Sequence, residues 1–210
     1  MNKKYYDLSA SFSENMVRYP GDPKCIIEEI NSLEKGAVFA LSEIKLGNHA
    51  GTHIDFPSHI ILGGKNSSDF FISELIGDGI IIEVPINQLS ITKDFILRQE
   101  IMPNDIVFFK TSNTHISKYK KIISNYVYIE QEAAWELVNR KARIVGIDYL
   151  NVDKDGEASL PVHQILLSND ALIVEGLELY GVPAGRCIIY IMPMKINNMD
   201  GLPARVVAKI

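Results

Sequence analysis

The most informative part of the sequence reads Gly47-Asn48-His49-Ala50-Gly51-Thr52-His53-Ile54-Asp55-Phe56-Pro57-Ser58-His59, and it holds three of the five histidines. His53 and Asp55 are two residues apart, so a strand would place both side chains on one face, within reach of one ion. His49 would lie about 13 Å from His53 along a straight strand and can join them only if the chain curls at Gly51. The pattern therefore predicts a curled loop that enters a short strand.

The residue types in this stretch favour a metal site. Imidazole and carboxylate ligands together suit a borderline divalent ion such as zinc or manganese. Polar groups bunched in an otherwise apolar region would cost several kcal/mol if they were buried without partners. A single histidine in a core is more often a hydrogen-bonded structural residue, and spacing alone leaves that alternative open. Pro57 and the poor helix formers Thr52 and Ile54 argue against a helix here.

Length and composition are those of a globular protein with a substantial apolar core. The 210 residues, 47% of them apolar, fit one domain, 1–210. The net charge of −5 without a basic stripe argues against nucleic acid as a partner. Residues 1–20 contain no continuous hydrophobic region, and no run reaches the length of a membrane span. Cys25 and Cys187 lie far apart and form no motif, as in a reducing compartment, so we expect a cytoplasmic protein without membrane partners.

Apolar runs predict a mixed α/β domain. A 3.6-residue period predicts a helix over 128–140, and Pro161 can start another. The helix at 128–140 lies between two predicted strands, which suggests a crossover connection. Asp148 and Asp153 have the character of turn or capping residues. The predicted strands are 5–12 (an edge strand), 26–30, 40–46, 79–86, 106–109, 143–147, 171–174, 188–192 and 206–210.

A second group of candidate ligands lies further along the chain. His163 falls on the helix that starts at Pro161, and Glu175 follows the apolar run Ala-Leu-Ile-Val. A glutamate at that position sits where core is expected and needs a charge partner. An ion held by the histidine-rich stretch would be such a partner.

The sequence resembles the metal-dependent cyclase-like hydrolases, which include bacterial kynurenine formamidase and isatin hydrolase. Residues 49–59 are similar to that family's HxGTHxDxPxH signature, which is the specific part of the resemblance. Weaker pieces follow the family's order from residue 19 to residue 205. They are Tyr19-Pro-Gly-Asp22, His163-Gln-Ile-Leu-Leu, Ile173-Val-Glu175-Gly-Leu and Asp200-Gly-Leu-Pro-Ala-Arg205.

The resemblance implies a binuclear metal site. His49 and His53 would hold one ion and His163 the other, while Asp55 and Glu175 would bridge or share both. Two divalent ions per chain, Zn²⁺ or Mn²⁺, are expected. The resemblance also implies a swivelling β/β/α fold with a mixed central sheet, and a homodimer or a larger homo-oligomer.

The implied activity is hydrolysis of an amide, formamide or cyclic amide by a metal-activated water molecule, with N-formylkynurenine as the best-known substrate. His59 would be the catalytic acid and base, with a further metal ligand as the alternative. Tyr19 stands where kynurenine formamidases carry a tryptophan that packs on the substrate, so Tyr19 is the expected substrate contact and the substrate stays open. Isatin-type or lactone hydrolysis and non-catalytic metal binding are the alternatives. His115 has no partner in the sequence and is expected on the surface.

Overall fold

The computed structural model of the chain describes residues 4–114 and 123–210. Within these ranges the predicted mixed α/β class is confirmed. The strands are β1 (Tyr5–Asp7), β2 (Ile26–Asn31), β3 (Leu41–Lys45), β4 (His53–Asp55), β5 (Ile76–Glu83), β6 (Ser90–Ile91), β7 (Ile106–Lys110), β8 (Tyr128–Ile129), β9 (Ile144–Ile147), β10 (Leu172–Glu175), β11 (Gly185–Pro193) and β12 (Gly201–Lys209). The helices are α1 (Lys93–Leu97), α2 (Gln131–Asn139) and α3 (Pro161–Leu167).

Seven of the described strands close into a barrel. Around the barrel the neighbours are β4, β12, β11, β5, β7, β9 and β10, and β10 pairs with β4 again. The pairs β5–β7, β7–β9 and β9–β10 are parallel, and the other pairs are antiparallel. The predicted mixed sheet is therefore confirmed, but its closure was not predicted. Strand β1 pairs with β12 outside the ring, and β2 and β3 form a separate hairpin.

Strands β7, β9 and β10 of the barrel bury both of their faces, whereas β11 alternates between buried and more exposed residues. In β7, Ile106 and Phe108 belong to a core inside the barrel, to which all seven strands contribute. Val107 and Phe109 point the other way, into a second core between the barrel and the helices. Burial on both faces explains why these strands read as continuous apolar runs rather than as an alternating pattern.

The crossover prediction is confirmed, with shifted boundaries. Strands β7 and β9 pair in parallel, and α2 lies between them in the chain. The predicted helix over 128–140 was too long at its start, because Tyr128–Ile129 pairs with β6 as a strand. Helix α1, capped by Thr92, was not predicted. None of the helices in the described ranges is long and apolar enough to cross a membrane.

Asp148 joins the ends of two central strands. It follows β9, and its buried carboxylate accepts hydrogen bonds from the Thr111 backbone N–H (2.8 Å) and hydroxyl (2.7 Å), just after β7. The backbone N–H of Thr114 donates a third, at 3.2 Å. Burial raises the pKa of this carboxyl from 3.8 to about 6, although the bonds from Thr111 oppose the rise.

A raised carboxyl pKa predicts a definite pH dependence of stability. The folded chain binds the Asp148 proton more tightly than the unfolded chain does, so this group favours folding below about pH 4 and loses that contribution as the pH rises through about 6. In Asp148→Asn the group cannot ionise. Relative to this variant, the wild type should lose about 2–3 kcal/mol of unfolding free energy between pH 4 and pH 7. Chemical denaturation of both proteins across this range measures the difference, and a constant difference would contradict the prediction.

Candidate metal centre

Strand β4 presents two of the predicted ligands on the outer face of the barrel. Ile54 points into the barrel core, so His53 and Asp55 on either side of it point outward. In the neighbouring strand β10, Glu175 lies opposite His53 in the register. All three polar side chains are buried. Strand pairing thus sets an imidazole and two carboxylates side by side.

The predicted curl before β4 is present at Gly51. This residue has a φ of +61°, in the left-handed region that glycine tolerates. The curl returns His49 to the strand, with its Nδ1 atom 2.7 Å from Oδ1 of Asp55. The first residue of β12 makes room for the ring, since a Cβ on Gly201 would lie 2.3 Å from Cε1 of His49.

Helix α3 brings the last predicted imidazole from the other side. His163 lies in its first turn, and its Nε2 atom is 3.3 Å from Oε1 of Glu175 and 3.7 Å from Oδ2 of Asp55. The five predicted ligand side chains therefore meet at one place, between β4, β10 and α3. They come from three separate parts of the chain.

Asp55 shows that these residues fit a metal ion. Its side chain is fully buried, yet neither carboxylate oxygen receives a hydrogen bond from any of the described residues. Such a carboxylate is costly unless a cation compensates it. Nε2 of His53 and Nε2 of His163 lie 3.3–3.7 Å from the carboxylate oxygens of Asp55 and Glu175. These separations are long for hydrogen bonds but close to the roughly 3.3 Å between two ligands of a tetrahedral ion with bonds of about 2.0–2.1 Å.

In His49, His53 and His163, the ring nitrogen that points away from the ion position faces a hydrogen-bond acceptor. An acceptor on one ring nitrogen fixes the proton there and directs the lone pair of the other toward the ion position, as in many metal sites. The contacts are His53 Nδ1 to Gly51 O (2.9 Å), His163 Nδ1 to Asp153 Oδ2 (2.6 Å) and His49 Nε2 to Asp200 Oδ2 (2.9 Å).

Opposite charges dominate the electrostatics of the metal-free chain. Burial lowers the pKa of His49, but Asp55 and Asp200 more than offset this and raise it to about 9. Burial likewise opposes the rise at His163, whose pKa Asp153 and Asp55 hold well above its ordinary value. The pKa of Asp55 is pulled well below its usual value by the surrounding imidazoles, despite burial. Protons thus supply the positive charge that a divalent ion would replace.

The ligand atoms form two adjoining groups that share Asp55. One group contains His49 and His53, and the other contains His163 and Glu175. Within each group the candidate atoms lie within 4.8 Å of one another. A carboxylate common to both groups is the arrangement expected for two neighbouring ions.

His59 lies beside these groups rather than within them. It occupies the turn Pro57–His59, and its ring centroid is 4.1 Å from that of His49 and 5.8 Å from that of His163. Its Nδ1 atom is 3.2 Å from Oδ2 of Asp200. His49, His59 and Asp200 are also close enough to form a third possible ligand set, so the alternative role of His59 as a ligand stays open.

Sequence reasoning missed the parts that Asp153 and Asp200 play here. Asp153 does act as the predicted capping residue, because it accepts from the backbone N–H groups of Val162 and His163. That it also contacts the His163 ring could not be read from its distance of ten residues. Asp200 was noticed only within a weak motif, and its position directly before an apolar strand was the available signal.

Tyr19 lies on the wall of a cavity of about 190 Å³ above the ligands. The turn that carries it is closed by a hydrogen bond from the Asp22 N–H to the Tyr19 carbonyl, and Gly21 has a φ of +100°. Tyr19 is 40% exposed, so a molecule in the cavity could reach it. The cavity is also lined by Arg18, Leu150, Asn151 and Leu160 and by His49, His53, His59, His163 and Glu175. His115 lies outside the described residues.

Comparison with known proteins places the chain among similar sequences and folds. Residues 6–154 match the family described as Putative cyclase. The kynurenine formamidase of Salinibacter ruber is 28% identical over 204 residues, which cover 97% of this chain and 96% of that protein. A solved structure described as a predicted metal-dependent hydrolase from Bacillus stearothermophilus superimposes with a TM-score of 0.86 at 30% identity, covering 100% of this chain and 99% of that one. An isatin hydrolase bound to thioisatinate, at 22% identity, shares the fold with a TM-score of 0.85 over 99% of this chain and 92% of its own.

The contact between Asp153 and His163 predicts a selective effect on metal binding. Asp153→Asn keeps an oxygen that can cap α3 but offers the Nδ1 atom of His163 a weaker acceptor or a donor. Zinc affinity should fall about 10- to 100-fold, the usual effect of changing an outer ligand partner. Competition with a chromophoric chelator measures the affinity. Unchanged affinity would mean that the Asp153 contact serves only the helix.

Proposed function

The chain belongs to the cyclase family, and on that premise we propose that it is a metal-dependent hydrolase of an amide, a formamide or a cyclic amide. The observation that carries the proposal is the pair of ligand groups sharing Asp55, open to a cavity that His59 also lines. The similarity to a kynurenine formamidase over nearly the whole chain makes formamides of the N-formylkynurenine type the leading substrate class.

The proposed cofactor is a pair of divalent ions, Zn²⁺ or Mn²⁺. His49 and His53 would hold one and His163 the other, with Asp55 and Glu175 between them. When bound, the ions supply Lewis acidity, which lowers the pKa of a water molecule and polarises a carbonyl oxygen. The chain's own part is to hold the ligands in place and to exclude water from their buried side.

His59 is proposed to move the proton. Cleavage of a carbon–nitrogen bond leaves a nitrogen that must be protonated, and an imidazole can both accept and deliver a proton near neutral pH. His59 lines the same cavity as the ligands and belongs to neither of the groups that share Asp55. Tyr19, which lines the same cavity, would pack against the substrate.

Two alternatives to the proposed activity use the same residues, one with a different substrate and the other without catalysis. Isatin-type or lactone hydrolysis would use the same ions and the same His59, and Tyr19 in place of tryptophan leaves that choice open. A non-catalytic metal-binding protein is disfavoured by the cavity, because structural sites are closed around their ion whereas catalytic sites keep an open position.

We extend the proposal to the fold family and the assembly. The barrel with its flanking helices is proposed to be the swivelling β/β/α fold that the resemblance implied.

A homodimer or larger homo-oligomer is proposed because the β2–β3 hairpin exposes Ile27, Phe39 and Ile44, and an isolated two-stranded hairpin has little stability of its own.

The proposed activity predicts both metal content and turnover. Gently purified protein should contain about two divalent ions per chain, and it should hydrolyse at least one of a panel of formanilides, isatin and lactones when zinc or manganese is supplied. Elemental analysis and spectrophotometric assays measure these. Protein that takes up no metal even on reconstitution would refute both the hydrolase and the metal-binding alternative, whereas metal without turnover would favour the latter.

Replacing His59 separates proton transfer from metal binding. His59→Ala should retain the metal content of the wild type while kcat falls by roughly 10²–10⁴, the usual contribution of a general acid or base. Elemental analysis beside kinetics measures both quantities. Loss of one ion together with activity would assign His59 as a ligand.

Replacing Tyr19 tests the substrate contact. An aromatic side chain held by a rigid turn stacks on an aryl ring with about 0.5–1.5 kcal/mol beyond area burial. Tyr19→Ala should therefore raise KM for an aryl substrate several-fold, affect an aliphatic substrate much less and leave the metal content alone. A lowered melting temperature with unchanged kinetics would instead make Tyr19 a packing residue.

A further inference from the structure

We infer that Asp200 is a positioning residue that sets the ring tautomers of His49 and His59 together. The inference rests on the proposed function and adds to it a residue that acts through two imidazoles. A single carboxylate oxygen, Oδ2, lies 2.9 Å from Nε2 of His49 and 3.2 Å from Nδ1 of His59. Because an ionised carboxylate only accepts hydrogen bonds, both of these nitrogens must carry the proton.

In each ring the nitrogen that does not face Asp200 is left unprotonated. In neutral His49 the lone pair is then on Nδ1, the atom that faces Asp55 and the ion position. In neutral His59 the lone pair is on Nε2, the nitrogen that does not face Asp200. One carboxylate therefore prepares a ligand and a proton acceptor at the same time, on neighbouring rings.

Asp200 is itself held on its other side. The Asn48 side-chain amide donates to Oδ1 of Asp200 at 2.9 Å and to the Gly201 carbonyl at 3.3 Å. The backbone carbonyl of Asp200 accepts from the N–H of Phe56 at 2.8 Å. Since Asn48 points its N–H at Oδ1, that position must remain an acceptor, and Oδ2 is left to face the two imidazoles.

The fixed direction of Asn48 makes Asp200→Asn a sharp test. The new amide must keep its oxygen toward Asn48, so its NH₂ group takes the place of Oδ2 and faces the imidazoles with a donor. The His59 proton should then move from Nδ1 to Nε2. The substitution preserves the size of the side chain, which is only partly buried.

The experiment reads the tautomer directly, without turnover. Two-bond ¹H–¹⁵N correlation spectra of uniformly labelled, zinc-saturated protein show which ring nitrogen is protonated, and the His59 signals are identified by their absence in His59→Ala. We expect Nδ1–H in the wild type, Nε2–H in Asp200→Asn, and a mixture in Asp200→Ala, which removes the acceptor without reversing it. For a substrate found in the panel, kcat of Asp200→Asn should fall by at least tenfold at saturating zinc.

Asp153→Asn is the matched control, because it makes the same change at the carboxylate behind His163 and does not touch His59. It should weaken zinc binding and leave the His59 tautomer on Nδ1. An unchanged tautomer in Asp200→Asn, or the loss of a zinc ion from it at saturation, would overturn the inference, the latter by making Asp200 a ligand. If no panel compound is hydrolysed, the proposed activity fails while the spectra still decide the role of Asp200.

Discussion

The pairing of β4 with both β10 and β12 is the constraint on which the site depends. This strand has three residues, and it closes the barrel. Its register places Glu175 opposite His53 on one side and Gly201 opposite Asp55 on the other. A shift of one residue would turn the ligands into the barrel and Ile54 out of it. The fully buried Ile54 therefore fixes the direction of the two ligands next to it.

The buried carboxylates of the site are its main source of unfavourable folding free energy. Asp55 and Glu175 lie against the outer core of the barrel, where an ionised group is stable only with a counter-charge. Glu175 receives one hydrogen bond, from the Val152 N–H at 2.8 Å, whereas Asp55 receives none from the described residues. Asp55 therefore depends on a neighbouring positive charge, because no hydrogen bond from the described residues stabilises its carboxylate. Such dependence is expected of a carboxylate that faces a cation rather than of one that only supports the fold.

The convergence of the five candidate ligands could be predicted from the sequence better than their surroundings could. The spacing of His53 and Asp55 has a direct meaning on a strand, and Gly51 was the residue able to curl the chain to His49. The central strands β7, β9 and β10 were found for a similar reason, since burial on both faces leaves continuous apolar runs. Closure of the barrel was not found, because it depends on which distant strands become neighbours. Asp153 and Asp200 were missed as supporting residues for the same reason: their value lies in contacts across ten and about 150 residues, which no local period records.

The three imidazoles of the candidate ligand groups differ in how firmly they are held. His53 is held by the backbone carbonyl of Gly51 within its own curl, and His163 by a carboxylate that also caps its helix. Both side chains are almost fully buried, so neither can turn without disturbing the core. The His49 side chain retains 20% exposure, and its supporting carboxylate, Asp200, retains 40%. Movement is therefore least restricted at His49, the candidate ligand whose supporting carboxylate also contacts His59.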